Sequence, residues 1–590
     1  MPSDKGKNRI IRRMSAVTQF GVGAIWDHDG ESFVQADISR WSDNGHDIVL
    51  DRLARSIGVS GFRAPNAVDD GVGLPFFRFP EWLFCPTCRS MSRYDKHKRE
   101  TRPRCLKCST SSPLVPIRFV AICEDGHLFD IDWSSWAHRG SNQPGENCHS
   151  RDNLKWQSLS GGIGLEGLSV KCDACESRNT LKDITRFPHR CSGRQPWQPP
   201  EASVPCSATT YGVQRGASNA WYGAITSAID IPPESDFTEI DIIMPSITKD
   251  DNFKSLVDQE PGGYFENKQI AQIASRHKVS ESEVRQLLER ARDTQRGIVP
   301  QPKLNPESLR IGEWRALTGA DTKDSRSRFV IEAMDLAGQV NSMGNAQIPS
   351  IANSIERLVA VRKVHEVRAL RGFTRWKSEA DQPTIVPASL DPSVSWLPAY
   401  EVFGEGIFFT FNEDALSEWE SRPAVIAKVA ELTASVKDSY ASSNNVSVNN
   451  PRLYLLHTIS HMLIRQLSFD CGYPAASLRE RLYATEIDSN VPMAGILIYT
   501  ADADAEGSMG GLVRQSRPAD FLLTISRALS HADWCSLDPI CGESRSGPHG
   551  VNKAACHACC LAPETACELF NRHLDRSLII NQDSNISFLE

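Results

Sequence analysis

Residues 85–108 read CPTCRSMSRYDKHKRETRPRCLKC. Two Cys-x-x-Cys steps, Cys85/Cys88 and Cys105/Cys108, stand sixteen residues apart. Each step sets two sulfurs on one side of a tight turn. Two such turns complete a tetrahedron of thiolates about a zinc ion, with the intervening residues as the hairpin of a ribbon. Four buried free thiols would be the bland alternative, but paired steps of this kind rarely arise without a ligand.

Working outward, the other cysteines cluster in the same manner. Ten of the seventeen lie between Cys85 and Cys206, six lie between Cys535 and Cys567, and Cys471 stands alone. Cys172-Asp-Ala-Cys175, followed by Cys191 and Cys206, predicts a second site. Cys123-Glu-Asp-Gly-His127 with His138 and Cys148 predicts a third, with His149 as a competing ligand. Gly126 suits the turn that aims Cys123 and His127 at one point. In the C-terminal group the step Cys556/Cys559 is the firm half, and Cys541 and Cys567 are the preferred partners, leaving Cys535 and Cys560 spare. Four sulfur-rich ligands leave no coordination position for water, so three to four structural zinc ions are expected, and no catalytic one.

The bulk numbers fit this reading. The 590 residues are 40% hydrophobic and 23% charged, enough apolar material for several cores. There is no run of eighteen apolar residues, and Met1–Ser15 is basic without an apolar segment. Neither a membrane span nor an export signal is expected, and a cytoplasmic location follows. A reducing cytosol disfavours disulfides. The net charge of -8 argues against a protein that coats nucleic acid over its whole surface. Residues 1–230 hold 29 basic against 25 acidic side chains, and the remainder holds 36 against 48, so contact with DNA should be local and N-terminal. The ribbon tip concentrates it: Arg93, Lys96, Lys98, Arg99, Arg102 and Arg104 are opposed there only by Asp95 and Glu100. A solvated charged loop is the competing reading.

An α+β multidomain architecture is expected. It comprises a β-rich segment (1–79), a zinc-ribbon-rich module (80–230), a mainly helical middle (231–395) and a mixed α/β zinc-binding domain (396–590). Glycines 21, 23 and 30 suggest a small hairpin within 16–41. Residues 267–295 have the spacing of a helical hairpin, weakly like a helix-turn-helix. Leu358, Val359, Val361 and Val364 predict a core helix over 351–370 with a basic outer face. Gly404 and Gly406 within 398–411 suggest paired strands, followed by a helix to about Tyr440 and a polar linker over 442–451. His457 and His461 share one helical face. The segment HTISH lacks the glutamate of the metalloprotease signature, so core packing is the favoured reading. No G-x-x-x-x-G-K-[ST] loop occurs, so a P-loop motor has no support in this sequence.

Several stretches carry a resemblance. LHTISHML (456–463), AGILIYT (494–500), GSMGGLV (507–513) and ACHACCLAPETAC (555–567) resemble the zinc-binding (MZB) domain of Mrf-type DNA-repair helicases. With TQFGVGAIW (18–26), the Cys123–His127 turn, RGASN (215–219) and VHEVRALRGFTRW (364–376), the chain is similar to the DrmB family of the DISARM anti-phage system. The resemblance spans most of the chain except roughly 235–350, with departures at Trp314, Trp376 and Cys560. It implies a non-catalytic subunit, without a small-molecule substrate. It also implies a heterodimer with a helicase-like subunit of the DrmA type, through which DNA is engaged and which supplies the missing motor. A metal-dependent nuclease using Asp502, Asp504 and Glu506 with a histidine is the main alternative, although a solvated acidic loop is the usual explanation of such residues in a Gly-rich turn. A zinc-dependent regulator rests on the weak helical hairpin alone.

Overall fold

The computed structural model describes residues 11–589 except 42–44, 66–73, 95–101, 140–147, 160–162, 186–189, 199–201, 233–246, 248–249, 260–263, 278, 296–305, 323–326, 337–347, 378–383, 435–448, 486–490, 501–509, 548–549 and 582. The chain divides into two compact units that alternate along the sequence. The first holds 1–48, 61–226 and 369–400, and the second holds 49–60, 227–368 and 401–590.

The first unit is a set of small antiparallel sheets. Ile25–His28 and Glu31–Gln35 form the expected hairpin, with Asp29 and Gly30 at φ 54° and 75°. Two successive positive φ values give a turn whose twist matches that of the strands it joins. Phe76–Arg78 adds a third strand. Three more three-stranded sheets follow: Trp82–Phe84 between Met91–Arg93 and Val115–Pro116; Phe119–Cys123 between Leu128–Phe129 and Thr210–Gln214; and Leu168–Cys172 between Leu154–Ser158 and Arg178–Thr180. Sheets this small bury little apolar area each, so Trp133, Trp136, Trp156 and Phe119 pack into a core that also contains cysteine sulfurs.

In the second unit, residues 355–368 of the strand Ile355–Thr374 lie in a sheet with residues 401–411 of the strand Trp396–Phe411, then Met493–Thr500 and Leu478–Thr485. Helices Pro451–Cys471 and Pro518–Ser530 pack in its main core with Phe409, Leu456, Ile496 and Phe521. The long helix starts on Pro451 behind an Asn450 cap that accepts from the Arg452 N–H, and it stops at Gly472, whose φ of 73° favours glycine. Helices Asp251–Val257, Tyr264–His277 and Glu281–Gln295 enclose a separate core around Phe253, Ile270 and Leu288. No helix among the described residues is long and apolar enough to cross a membrane.

Three expectations need correction. The helix over 351–370 is a short helix, Ile348–Ser354, followed by a twenty-residue strand. Val359, Val361 and Val367 are wholly buried there. A strand covered on both faces loses its alternation, and its β-branched residues favour the extended backbone. The paired strands of 398–411 are one strand. Gly404 marks close backbone approach instead of a turn, since a Cβ there would meet the Thr500 carbonyl oxygen at 2.0 Å. The helix toward Tyr440 is two helices, Glu413–Glu420 and Pro423–Thr433, and most of the polar linker lies outside the described residues.

Candidate metal centres

Five groups of ligand-bearing side chains converge among the described residues, each with its donor atoms within 4.8 Å of one another. Zinc–sulfur bonds of about 2.3 Å imply tetrahedron edges of roughly 3.8 Å. That length is the test of fit.

The ribbon site meets it. Cys85 Sγ lies 3.8 Å from Cys108 Sγ, and Cys88 Sγ lies 3.6 Å from Cys105 Sγ. Backbone N–H groups of Cys88 and Lys107 point at the sulfurs of Cys85 and Cys105, each at 3.4 Å, as N–H groups do around metal-bound thiolates. A hydrogen bond from Ser90 draws Cys88 down to about 6, while burial pushes Cys105 up to about 11. Four thiolates can coexist at such distances only around a cation.

The next two groups are nested. Cys123, His127, Cys191 and Cys206 form one, and His138, Cys148, Cys172 and Cys175 form the other. Sequence order instead groups Cys123/His127 with His138/Cys148, and Cys172/Cys175 with Cys191/Cys206. Strand register overrides that order. Cys123 stands opposite Thr210, which brings Cys206 in, and Leu154 stands opposite Cys172, which brings in Cys148. In the outer group His127 Nδ1 is 3.3 Å from Cys123 Sγ and 3.7 Å from Cys191 Sγ. Gly126 holds φ 82°, and Arg375 donates to its carbonyl at 2.8 Å, fixing the turn. In the inner group Cys148 and Cys172 sulfurs are 3.8 Å apart. His138 sits at the end of the short helix Trp133–Ala137, where its Nδ1–H donates to the Ser134 carbonyl at 2.6 Å. Its Nε2 is buried without a hydrogen-bond partner, as a nitrogen awaiting a metal would be. His149 is exposed and outside the group.

In the C-terminal group Cys535, Cys541, Cys556 and Cys559 converge, so Cys535 stands where the spacing favours Cys567. Cys535 and Cys556 sulfurs are 3.6 Å apart, and Cys541 and Cys559 are 3.7 Å apart. Asp538 anchors the Cys535 turn, accepting from the Cys535 and Gly542 N–H groups and pairing with Arg576. Cys567 is carried elsewhere by its neighbours: the Glu480 N–H donates to the Ala566 carbonyl, and Glu480 Oε1 accepts from the Glu568 N–H, each at 3.0 Å. It forms the fifth group with His457, His461 and Glu480. Glu480 was missed because nothing in its strand sequence marks it. The His-x-x-x-His spacing was the only available signal.

The basic tip is only partly described. Lys96, Lys98 and Arg99 lie outside the described residues, as do Asp502, Asp504 and Glu506. Arg93 is drawn into an ion pair with Glu81 at 2.6 Å. Arg102 donates to the Asp29 carbonyl, and the exposed Arg104 donates to the Ser111 carbonyl.

Comparison with known proteins follows the same division. A domain family of unknown function, DUF8724, matches residues 12–222, which contain the ribbon site and both nested groups. The MrfA Zn-binding domain, MZB, matches residues 459–560, which contain the whole four-cysteine C-terminal group. A protein described as DISARM protein DrmB, from Bacillus paralicheniformis, is 29% identical over 576 residues, covering 94% of this chain and 97% of that protein.

Proposed function

We propose that this chain, a relative of the DISARM protein DrmB along nearly its whole length and bearer of an MZB zinc-binding domain, is a non-catalytic subunit of an anti-phage complex that engages DNA beside a helicase-like subunit. The similarity over 94% of the chain carries this reading, because it takes in both the zinc-rich first half and the MZB domain. In this reading Cys85/Cys88/Cys105/Cys108, Cys123/His127/Cys191/Cys206, His138/Cys148/Cys172/Cys175 and Cys535/Cys541/Cys556/Cys559 each hold one structural zinc, a set supported by the convergence of their donor atoms. Metal at these places contributes folding free energy to sheets too small to stand alone.

The sequence has no phosphate-cradling loop, so ATP hydrolysis belongs to the partner. The ribbon tip is the DNA-facing part, with Arg99, Arg102 and Arg104 as phosphate contacts. The test is reconstitution with a helicase-like subunit encoded beside it. Co-purification as a heterodimer is expected, with ATPase activity in the complex and none in the isolated chain. Replacing Arg99, Arg102 and Arg104 should lower the salt slope of DNA binding by up to about three units without releasing the partner. A triple variant with unchanged DNA affinity and salt slope would remove the tip from the interface. Magnesium-dependent nicking of plasmid by the isolated chain, abolished by Asp502→Ala, would favour a nuclease instead.

A further inference from the structure

The fifth cluster has no role in the reading above, and neither family match encloses it. The MZB match runs from 459 to 560, so it contains all four cysteines of the C-terminal group but neither His457 nor Cys567. We propose that His457, His461, Glu480 and Cys567 hold a fifth metal ion, a zinc-class dication bound structurally in the core of the second unit.

The donor atoms converge from three separate stretches of chain. His457 Nε2 lies 3.1 Å from Cys567 Sγ and 3.1 Å from Glu480 Oε1, and His461 Nε2 lies 3.6 Å from the same oxygen. Bonds of 2.0–2.3 Å to nitrogen, oxygen and sulfur imply edges of roughly 3.3–3.8 Å, so a metal fits after shifts of a few tenths of an ångström. His457, His461 and Glu480 are almost wholly buried. Yet His461 Nε2 and Glu480 Oε2 have no hydrogen-bond partner, a costly arrangement for an interior that contains only protein.

The surroundings orient these groups as outer partners orient metal ligands. His461 Nδ1–H donates to the Cys560 carbonyl at 3.1 Å, which directs the lone pair of Nε2 at the Glu480 carboxylate. A lone pair facing a buried carboxylate is repulsive unless a cation sits between them. Cys567 Sγ accepts the N–H groups of Leu569 at 3.3 Å and Asn571 at 3.2 Å. The first of these repeats the contact of Lys107 N–H with Cys105 and of Gly193 N–H with Cys191 in two other clusters. Charge fixes the valence. One thiolate and one carboxylate with two neutral imidazoles neutralise a dication, so the loaded site adds no net charge to the core. Thiolate and imidazole donors disfavour calcium and magnesium, and four protein ligands leave no open position, which describes structural zinc. The ion would tie the segment bearing Cys567 to a helix 110 residues earlier.

Zinc content of the full-length chain tests the proposal. Five zinc ions per chain are expected, falling to four in both Cys567→Ser and His457→Phe. Cys556→Ser should also lose one, and combining it with Cys567→Ser should lose two. Variants that keep the wild-type metal content would overturn the proposal. Where those variants fail to fold, anomalous scattering at the zinc edge from crystals of the unmutated chain decides. A peak between His461 Nε2 and Cys567 Sγ supports the site, and a featureless map there refutes it.

Discussion

Arg481 Nε donates to Glu313 Oε2 at 2.6 Å across 168 residues of sequence, with side chains 2% and 0% exposed. Glu313 also accepts the Ile229 N–H and the Tyr483 hydroxyl, so the segments of Ile229, Glu313 and Arg481–Tyr483 meet at one carboxylate. Burial opposes its charge, but Arg481, Arg310 and Arg52 hold its carboxyl below the ordinary range. Glu313→Gln should therefore cost about 3 kcal/mol, because it leaves the buried Arg481 with only the more distant Glu366 and Glu568, at 3.5 and 3.8 Å, as counter-charges. Denaturant unfolding of the second unit measures this. The same pair predicts acid sensitivity. A carboxyl with a depressed folded value stabilises above its unfolded pKa, and that stability drains away as pH falls below about 4.5.

A second ionic cluster has the opposite pH sign. His365 is buried, donates toward Asp230 at 2.9 Å and Glu401 at 3.1 Å, stacks on Phe403, and has Arg328 near both acids. Burial works against its proton, but the two carboxylates prevail and raise its pKa above the ordinary value. A proton held more tightly in the folded state stabilises fully below about pH 6.5, and that contribution is lost as pH rises through the raised value. Thermal unfolding from pH 5 to 9 should show this decline, and His365→Gln should flatten it while costing about 2–3 kcal/mol at pH 6.

Nesting of the two zinc groups in the first unit makes a discriminating double variant possible. Cys123→Ser with Cys191→Ser removes two members of one group, so native mass spectrometry should find one zinc fewer than wild type. Cys123→Ser with Cys148→Ser should remove two. Grouping in sequence order would give the reverse result.

Gly404 should tolerate no side chain. Its missing Cβ would lie 2.0 Å from the Thr500 carbonyl oxygen and 2.8 Å from Thr500 Oγ1, so Gly404→Ala must displace sheet backbone and should cost about 1–3 kcal/mol. Gly216→Ala, with nothing within 4 Å of the added carbon, is the control and should change stability little. Thermal unfolding of both variants checks the contrast.

The sequence was most legible where partners are neighbours. Cys85/Cys88 and Cys105/Cys108 announce themselves because three-residue spacing needs no knowledge of the fold. Cys206 could not be assigned that way, since its place beside Cys123 comes from the pairing of Thr210 with Cys123 in a sheet. The run from Ile355 was misread because Leu358, Val359, Val361 and Val364 satisfy helical spacing as well as a strand buried on both faces. Glu480 left no mark at all. It sits between Arg479 and Arg481 in a strand where Glu480 and Arg481 are both buried, which polarity alone does not reveal.

Nesting also couples the closure of the two groups. The outer group must bring Cys191 back to His127 across 64 residues, whereas the inner closes Cys148 on Cys172 across 24. Once the inner ion is held, most of the chain between the outer ligands is already pinned, and only its two flanks remain free. Each halving of free chain lowers the entropic cost of closure by roughly 0.6 kcal/mol. Closing the inner group therefore eases closure of the outer one, and by linkage the outer eases the inner to the same extent.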